Sequence, residues 1–209
     1  MKKLATLLCL LLWAVVAYPQ EGPTTQPQDH NLFSGLGGPN SGFGIKGGVN
    51  FAEVNGSDKN VLGNTEKYTA WHAGLYAQFA VSDFFSLQPE LLYSRKGYER
   101  NDSTFRFDYL ELPVLAVFNL SDNISIHLGP QIAAMVSAQE EDKEVDIERF
   151  NTFDYGVAGG FEGRINRFRL GARYSLGLAD LIKKDTAGRN VNLDIKPGVL
   201  QVYLGLNLF

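Results

Sequence analysis

The sequence predicts an all-β protein, specifically an eight-stranded antiparallel up-and-down transmembrane β-barrel, and three observations carry that prediction. Hydrophobicity alternates with period two through eight segments, each of about ten residues, from Gly42 onward. The connections between those segments alternate between tight turns and long polar stretches. Bulky apolar side chains hold one parity, while Gly, Ser, Gln and isolated charges hold the other.

Composition excludes several other classes. The chain has 209 residues, 44% hydrophobic, 12% aromatic and 20% charged, with a single cysteine. One cysteine cannot build a disulfide scaffold, and so many aromatics do not suit a disordered chain. Mean hydropathy is −0.12, too low for a bundle of apolar membrane helices.

The elements follow in chain order. Residues 1–17 read as a secretory signal peptide: Met1-Lys2-Lys3 is basic, Leu4 to Ala17 is apolar, and Val15-Val16-Ala17 offers a small-residue cleavage site. A membrane anchor needs about 20 apolar residues, and this run is shorter. Cys9 is followed by more apolar residues and cannot head a lipoprotein. Without Lys2 and Lys3 the 19 basic residues fall to 17 against 23 acidic, for a net charge of −6. An acidic chain without basic clusters excludes nucleic acid as the expected partner. Residues 18–41, rich in Pro, Gly, Gln and Thr, read as a flexible periplasmic leader.

Residues 42–209 form the predicted barrel domain. In the first segment Phe43, Ile45, Val49 and Phe51 oppose Gly44, Lys46, Gly48 and Asn50. In the second, Trp71 to Val81 opposes His72, Gly74, Tyr76 and Gln78; in the third, Phe85, Leu87, Leu91 and Tyr93 oppose Ser86, Gln88, Glu90 and Ser94. The fourth is the least clean, because Leu115 and Val117 fall on the parity of Tyr109 and Glu111. The remaining four run through Ile124–Val136, Phe153–Ile165, Phe168–Leu176 and Leu200–Leu208. Tight turns are expected at Ser82-Asp83, Ser121-Asp122-Asn123 and Asn166-Arg167. Long loops are expected over 53–67, 97–106, 139–152 and 179–197. Short turns on one rim and long loops on the other mark an outer-membrane barrel with its turns in the periplasm.

A soluble lipocalin-like barrel is the competing architecture. It would hide the apolar parity and show the polar one to water. Here the polar parity is dominated by small residues and isolated charges, which suits the crowded interior of a small barrel. Aromatics near both strand ends, Trp71, Tyr93, Phe153 and Tyr174 on the loop side and Phe79, Phe85, Phe118 and Phe168 on the turn side, suggest two interfacial girdles.

The strings LQPELLYSRKG (Leu87 to Gly97), YLELPVLAVF (Tyr109 to Phe118) and the ending LGLNLF resemble the Bacteroidetes outer-membrane β-barrel family, the "porin family" or PorT-like small barrels. That resemblance, which covers Gly42 to Phe209, implies an outer-membrane location and leaves the activity open. It allows a role in protein secretion or envelope assembly. A C-terminal Phe209 resembles the signal read by the barrel assembly machinery, although its parity differs from that of Leu200 to Leu208.

The sharpest constellation is a set of charges on the interior parity: Lys46, Glu90, Glu111, Glu162, Arg164, Arg169 and Arg173. Unpaired charges in so small an interior are costly, so a closed network is expected, with Glu162 near Arg169 and Arg173 and with Lys46 or Arg173 reaching Glu90 or Glu111. Such a network plugs the lumen; the competing use is a small porin or ion path. Gly42-Phe-Gly44-Ile-Lys-Gly47 matches a dinucleotide fingerprint, but it lies inside a strand and opens no helix. The acidic stretch Glu140–Glu148 lacks the glycine and ligand order of a calcium loop and reads as a solvated outer loop. His72 and His127 are on the interior parity of different strands, which argues against both a metal site and a lipid-facing hydrolase. No catalytic residue, metal or cofactor is therefore expected. The expected partners are outer-membrane lipid or lipopolysaccharide, the assembly machinery, and an envelope or secretion protein contacted by Lys183, Lys184 and Arg189 in the last loop.

Overall fold

The structure, a computed structural model, describes residues 40–58, 65–100, 103–140, 143–144, 150–180 and 194–208. By internal contacts the chain divides into Met1–Asn31 and Leu32–Phe209, and the barrel belongs to the second unit. The signal peptide, most of the predicted leader, Lys183, Lys184, Arg189 and Phe209 lie outside the described residues.

The strands are β1 (Gly42–Asn55), β2 (Thr65–Ala80), β3 (Phe85–Arg100), β4 (Ser103–Asn119), β5 (Ile124–Glu140), β6 (Lys143–Glu144), β7 (Phe153–Ile165), β8 (Phe168–Gly177) and β9 (Lys196–Asn207). Eight of them form the wall of a closed antiparallel barrel, each pairing with its chain neighbours. β6 is a two-residue extension paired to the end of β5 above the wall. Closure comes from β1 against β9, in register from Gly44↔Asn207 to Asn55↔Lys196. A closed sheet leaves no edge, so the backbone is satisfied internally and the outer surface can be apolar.

The predicted inversion is present. Large apolar residues such as Ile45, Trp71, Leu75, Leu91, Ile126 and Leu170 are exposed on the outer surface, while Lys46, His72, Gln78, Glu90, Glu111, Glu162, Arg169, Arg173 and Gln201 are buried inside. Leu115 and Val117, on the irregular fourth segment, do face inward and pack with Ala158. Interior glycines make room for this filling: a Cβ at Gly44 would sit 2.5 Å from the Tyr76 hydroxyl.

The tight turns form where the sequence places them. Phe85 N–H is held by the Ser82 carbonyl and hydroxyl, and Asn166 adopts a left-handed φ of 55°, which asparagine tolerates. One predicted loop is corrected. Residues 97–106 are almost entirely paired, from Gly97↔Arg106 to Arg100↔Ser103, so β3 and β4 continue as a hairpin that rises above the loop rim. The predicted loop composition conceals this extension because, beyond the apolar belt, the outer face of the strands meets water and carries polar residues. The apolar alternation therefore lapses, while Tyr98 and Phe107 stay buried on the inner face.

The last residues of the predicted leader also join the barrel. The Ala80 amide donates to Ser41 Oγ at 3.0 Å, and Asn40 closes onto the turn rim.

Candidate functional site

The interior is built in tiers, because every second residue of each wall strand points inward and neighbouring strands are held in fixed register. At the turn rim stands Arg164. Its guanidinium donates to Asn40 Oδ1 at 2.9 Å and to Asn119 Oδ1 at 2.5 Å. Asn119 donates on to Ser86 Oγ at 3.2 Å, and Asn40 donates to the Asp83 carbonyl at 3.1 Å. Arg164, a member of the predicted charge set, is clamped by two neutral amides.

Above it lies the charged centre. Arg169 donates from Nε to Asn207 Oδ1 at 2.9 Å, and its guanidinium reaches Gln78 at 2.6 Å and Glu162 at 3.1 Å. Glu162 takes a second hydrogen bond from the Tyr203 hydroxyl at 3.0 Å. Glu90 is the hub. One of its oxygens accepts from Lys46 and from Gln88, both at 2.7 Å, and the other accepts from Arg173 at 2.8 Å. Arg173 is oriented in turn by Gln201 at 2.9 Å. Tyr76 and Tyr203 line this tier with ring faces: Arg169 lies 4.7 Å from the Tyr76 centroid and Lys46 4.0 Å from that of Tyr203. Tyr76 also hydrogen-bonds Asn207. Glu162 therefore pairs with Arg169, while Arg173, expected either near Glu162 or reaching across to Glu90 or Glu111, crosses to Glu90.

The next tier holds His72, whose Nδ1 lies 2.7 Å from the Asn50 Oδ1 acceptor. Asn50 itself donates to Ser94 at 3.0 Å and to the Arg95 carbonyl at 2.8 Å. Glu111 sits a step closer to the loops and forms an ion pair with Lys96 at 2.5 Å. Lys96 also stands 4.9 Å from the Tyr109 ring centroid. Asp154 shares this level and accepts from the Ala179 amide at 3.3 Å. Lys96 and Asp154 are absent from the predicted charge set. Both lie on the interior parity, Lys96 continuing the row of Glu90 and Ser94, so the signal was present in the alternation.

An aromatic cap closes the loop end. Tyr98, Phe107, Tyr109, Met135, Phe150 and Ile195 form one buried cluster, with Phe150 edge-on to Phe107 at 4.9 Å between centroids. Phe150 follows the loop after β5 and Ile195 precedes β9, so two loop segments fold into the mouth. Beside the cap lies a cavity of about 20 Å³, room for about one water molecule.

Two further polar groupings stand at the loop rim. Outside the wall, Arg95 grips Asp108 through two hydrogen bonds of 2.7 and 2.9 Å, next to Trp71 stacked on Tyr93. Arg95 and Asp108 are direct cross-strand partners on this outer face, and the nearby bulge falls on β5, where Val136 is the extra residue between the Asp108↔Ser137 and Tyr109↔Met135 pairs. Above the wall, Asp194 ties the segments after β1 and before β9 together. It accepts from the Ser57 amide at 3.1 Å, from the Ser57 hydroxyl at 2.9 Å and from Lys196, and its own amide donates to Asp58 at 3.0 Å. The lysine and the serine donors hold the Asp194 carboxyl at about 2, below the usual aspartate range. Gly56 makes the approach possible, with a φ of 116° that a side chain would strain.

Among the described residues, no three His, Cys, Asp or Glu side chains converge as a metal-binding group. His72 and His127 are both buried inside the wall. The assembled interior contains five cations, Lys46, Lys96, Arg164, Arg169 and Arg173, against four carboxylates, Glu90, Glu111, Asp154 and Glu162. Among the described residues this array carries one positive charge in excess of neutral, the extra cation being the amide-clamped Arg164, and it fills space.

A family model described as the outer membrane protein beta-barrel domain matches residues 26–183. The chain is similar to several solved structures, and the first of these shares its fold. Neisserial surface protein A is 15% identical, with a TM-score of 0.54 over 80% of this chain and 98% of that one. Ail, the attachment invasion locus protein of Yersinia pestis, is 14% identical with a TM-score of 0.45 over 80% and 98%. OprG of Pseudomonas aeruginosa is 12% identical with a TM-score of 0.42 over 82% and 97%. No curated protein sequence matches the chain.

Proposed function

The chain belongs to the outer membrane protein beta-barrel domain family, and from that premise we propose that it is a plugged, non-conducting barrel that acts as a structural or interaction protein of the envelope. The observation that carries this reading is the continuity of the filling. From Arg164 at the turn rim to Phe150 at the loop rim, each tier is tied to the wall by ion pairs, hydrogen bonds or aromatic packing. An ion crossing this path would have to break buried pairs and pass an apolar cap, and eight strands leave only enough interior for side chains. Activity then resides on the rims, where long loops on a rigid wall offer contact surfaces.

The loop over residues 179–197, with Lys183, Lys184 and Arg189, is the proposed contact for an envelope or secretion protein or for lipopolysaccharide phosphates. The PorT-like resemblance supports that direction. Reconstitution in planar bilayers tests the plug: no discrete current steps are expected from the wild-type protein, and stable unitary conductance would replace this reading with a small porin. For the contact, Lys183→Glu combined with Lys184→Glu and Arg189→Glu is expected to keep the heat-sensitive gel shift of a folded barrel while removing crosslinks formed in the native envelope. Unchanged crosslinks would move the contact to another loop.

A further inference from the structure

The outer wall carries a trough that the lumen does not explain. It holds about 850 Å³ on the face formed by β5, β7, β8 and β9, directly above the Asn166-Arg167 turn. The strand registers show how it arises. One row across the wall reads Ile124, Gly163, Leu170, Leu204, and the next reads Ile126, Phe161, Ala172, Val202. Each row is bulky except at one position, and the two small residues, Gly163 and Ala172, sit diagonally on adjacent strands. Side chains lean out around the gap: Leu170 is 63% exposed and Phe161 62%. The space above Gly163 is open, with no atom nearer than 3.8 Å to the place of a Cβ.

We propose that this trough binds one phospholipid of the periplasmic leaflet, with an acyl chain lying over Gly163 and Ala172 and the headgroup phosphate on Arg167. The lining is almost wholly apolar, and its volume is in the range of a small-molecule site, about 300–1,000 Å³. The short turns face the periplasm, so the trough opens at the depth where phospholipid headgroups begin. Arg167 is exposed in the turn between Ile165 and Phe168, both of which line the trough, so a cation stands where the apolar channel ends. That order, cation at the interface and groove below it, complements a phosphate followed by a hydrocarbon chain. A second barrel fits less well, because its own convex wall would rest on the projecting Phe161 and Leu170 and leave the groove unfilled.

Native mass spectrometry of the full-length barrel, released from nanodiscs of palmitoyl-oleoyl phosphatidylglycerol, tests the assignment. The wild type is expected to retain one phosphatidylglycerol at collision energies that strip the rest. Gly163→Leu fills the groove at an open, lipid-facing position and is expected to weaken retention about tenfold, as for the loss of one well-packed contact. Arg167→Gln is expected to weaken phosphatidylglycerol while leaving retention of dioleoylglycerol, which has no phosphate, unchanged. The heat-sensitive gel shift reports that each variant is folded. Equal retention by wild type and Gly163→Leu overturns the proposal, and so does a dimer that Gly163→Leu dissolves, which would make the trough an interface between copies. A folded Arg167→Gln that holds phosphatidylglycerol as tightly as the wild type overturns the headgroup assignment.

Discussion

Glu90 and Asp194 are both carboxylates that accept from a lysine, and they sit at opposite extremes of this molecule. Glu90 is wholly buried in mid-lumen, between Lys46 and Arg173, with Gln88 completing its shell. The Asp194 side chain is 39% exposed above the wall, beside a Lys196 side chain that is 32% exposed. In the first case the desolvation of three charges is set against their mutual attraction, and the arrangement is stable only while all three are present. In the second, water screens both partners, and the pair matters for the loop geometry it fixes. Similar chemistry thus fills the barrel in one place and fastens two loops in the other.

The contrast breaks most visibly at Glu90. Glu90→Ala leaves two buried cations without their carboxylate and is expected to cost about 3–5 kcal/mol. Urea unfolding of the vesicle-reconstituted barrel measures this, and a loss below about 1 kcal/mol would place the lumen in the same regime as the exposed rim. The aromatic cap sharpens the comparison from the apolar side. Phe150→Ala removes a ring packed edge-on to Phe107 and is expected to cost roughly 3 kcal/mol by the same assay. Planar bilayers should still show no current for this variant, because the charged tiers below the cap are untouched.

These two regions were unequally legible from sequence. The interior position of Glu90, Arg169 and Arg173 follows from period two alone, since each strand must choose a face and the apolar one belongs to the lipid. Which cation meets which acid depends on strand stagger around the closed ring, and alternation carries no information about that. Arg173 was therefore placed within reach of three acids, Glu162, Glu90 and Glu111, and it meets Glu90, four strands away around the wall and 83 residues distant in the chain. Arg164 shows the same limit: one of its partners, Asn40, lies 124 residues away in a stretch without periodicity. The hairpin over 97–106 was hidden for a different reason. Above the belt the wall has water on its outer face, and Glu99, Arg100 and Arg106 look like loop residues while their backbones remain paired. The cap was hidden because Phe150 and Ile195 come from connections, where sequence spacing does not set direction.

The smallest expected effect lies at Asp194, and its sign follows from the direction of the shift. The folded carboxyl titrates at about 2, against an ordinary aspartate value near 3.8, because Lys196 and Ser57 donate to its charged form. A depressed folded pKa means that the unfolded chain takes up the proton first as pH falls. The contribution of the clasp is thus complete above about pH 4 and is lost between there and about pH 2. Lys196→Ala removes the leading cause, so the Asp194 pKa should move up toward its ordinary value. NMR titration of the Asp194 carboxyl carbon reads this directly, and hydrogen exchange at the Asp58 and Asp194 amides should accelerate in the variant at neutral pH. The wall amides of β1 and β9 should be unaffected, since their ladder from Gly44↔Asn207 to Asn55↔Lys196 closes the barrel independently of the clasp. If those wall amides accelerate as well, the rim pair helps hold the seam closed, and the division between a filled lumen and a fastened rim fails at that point.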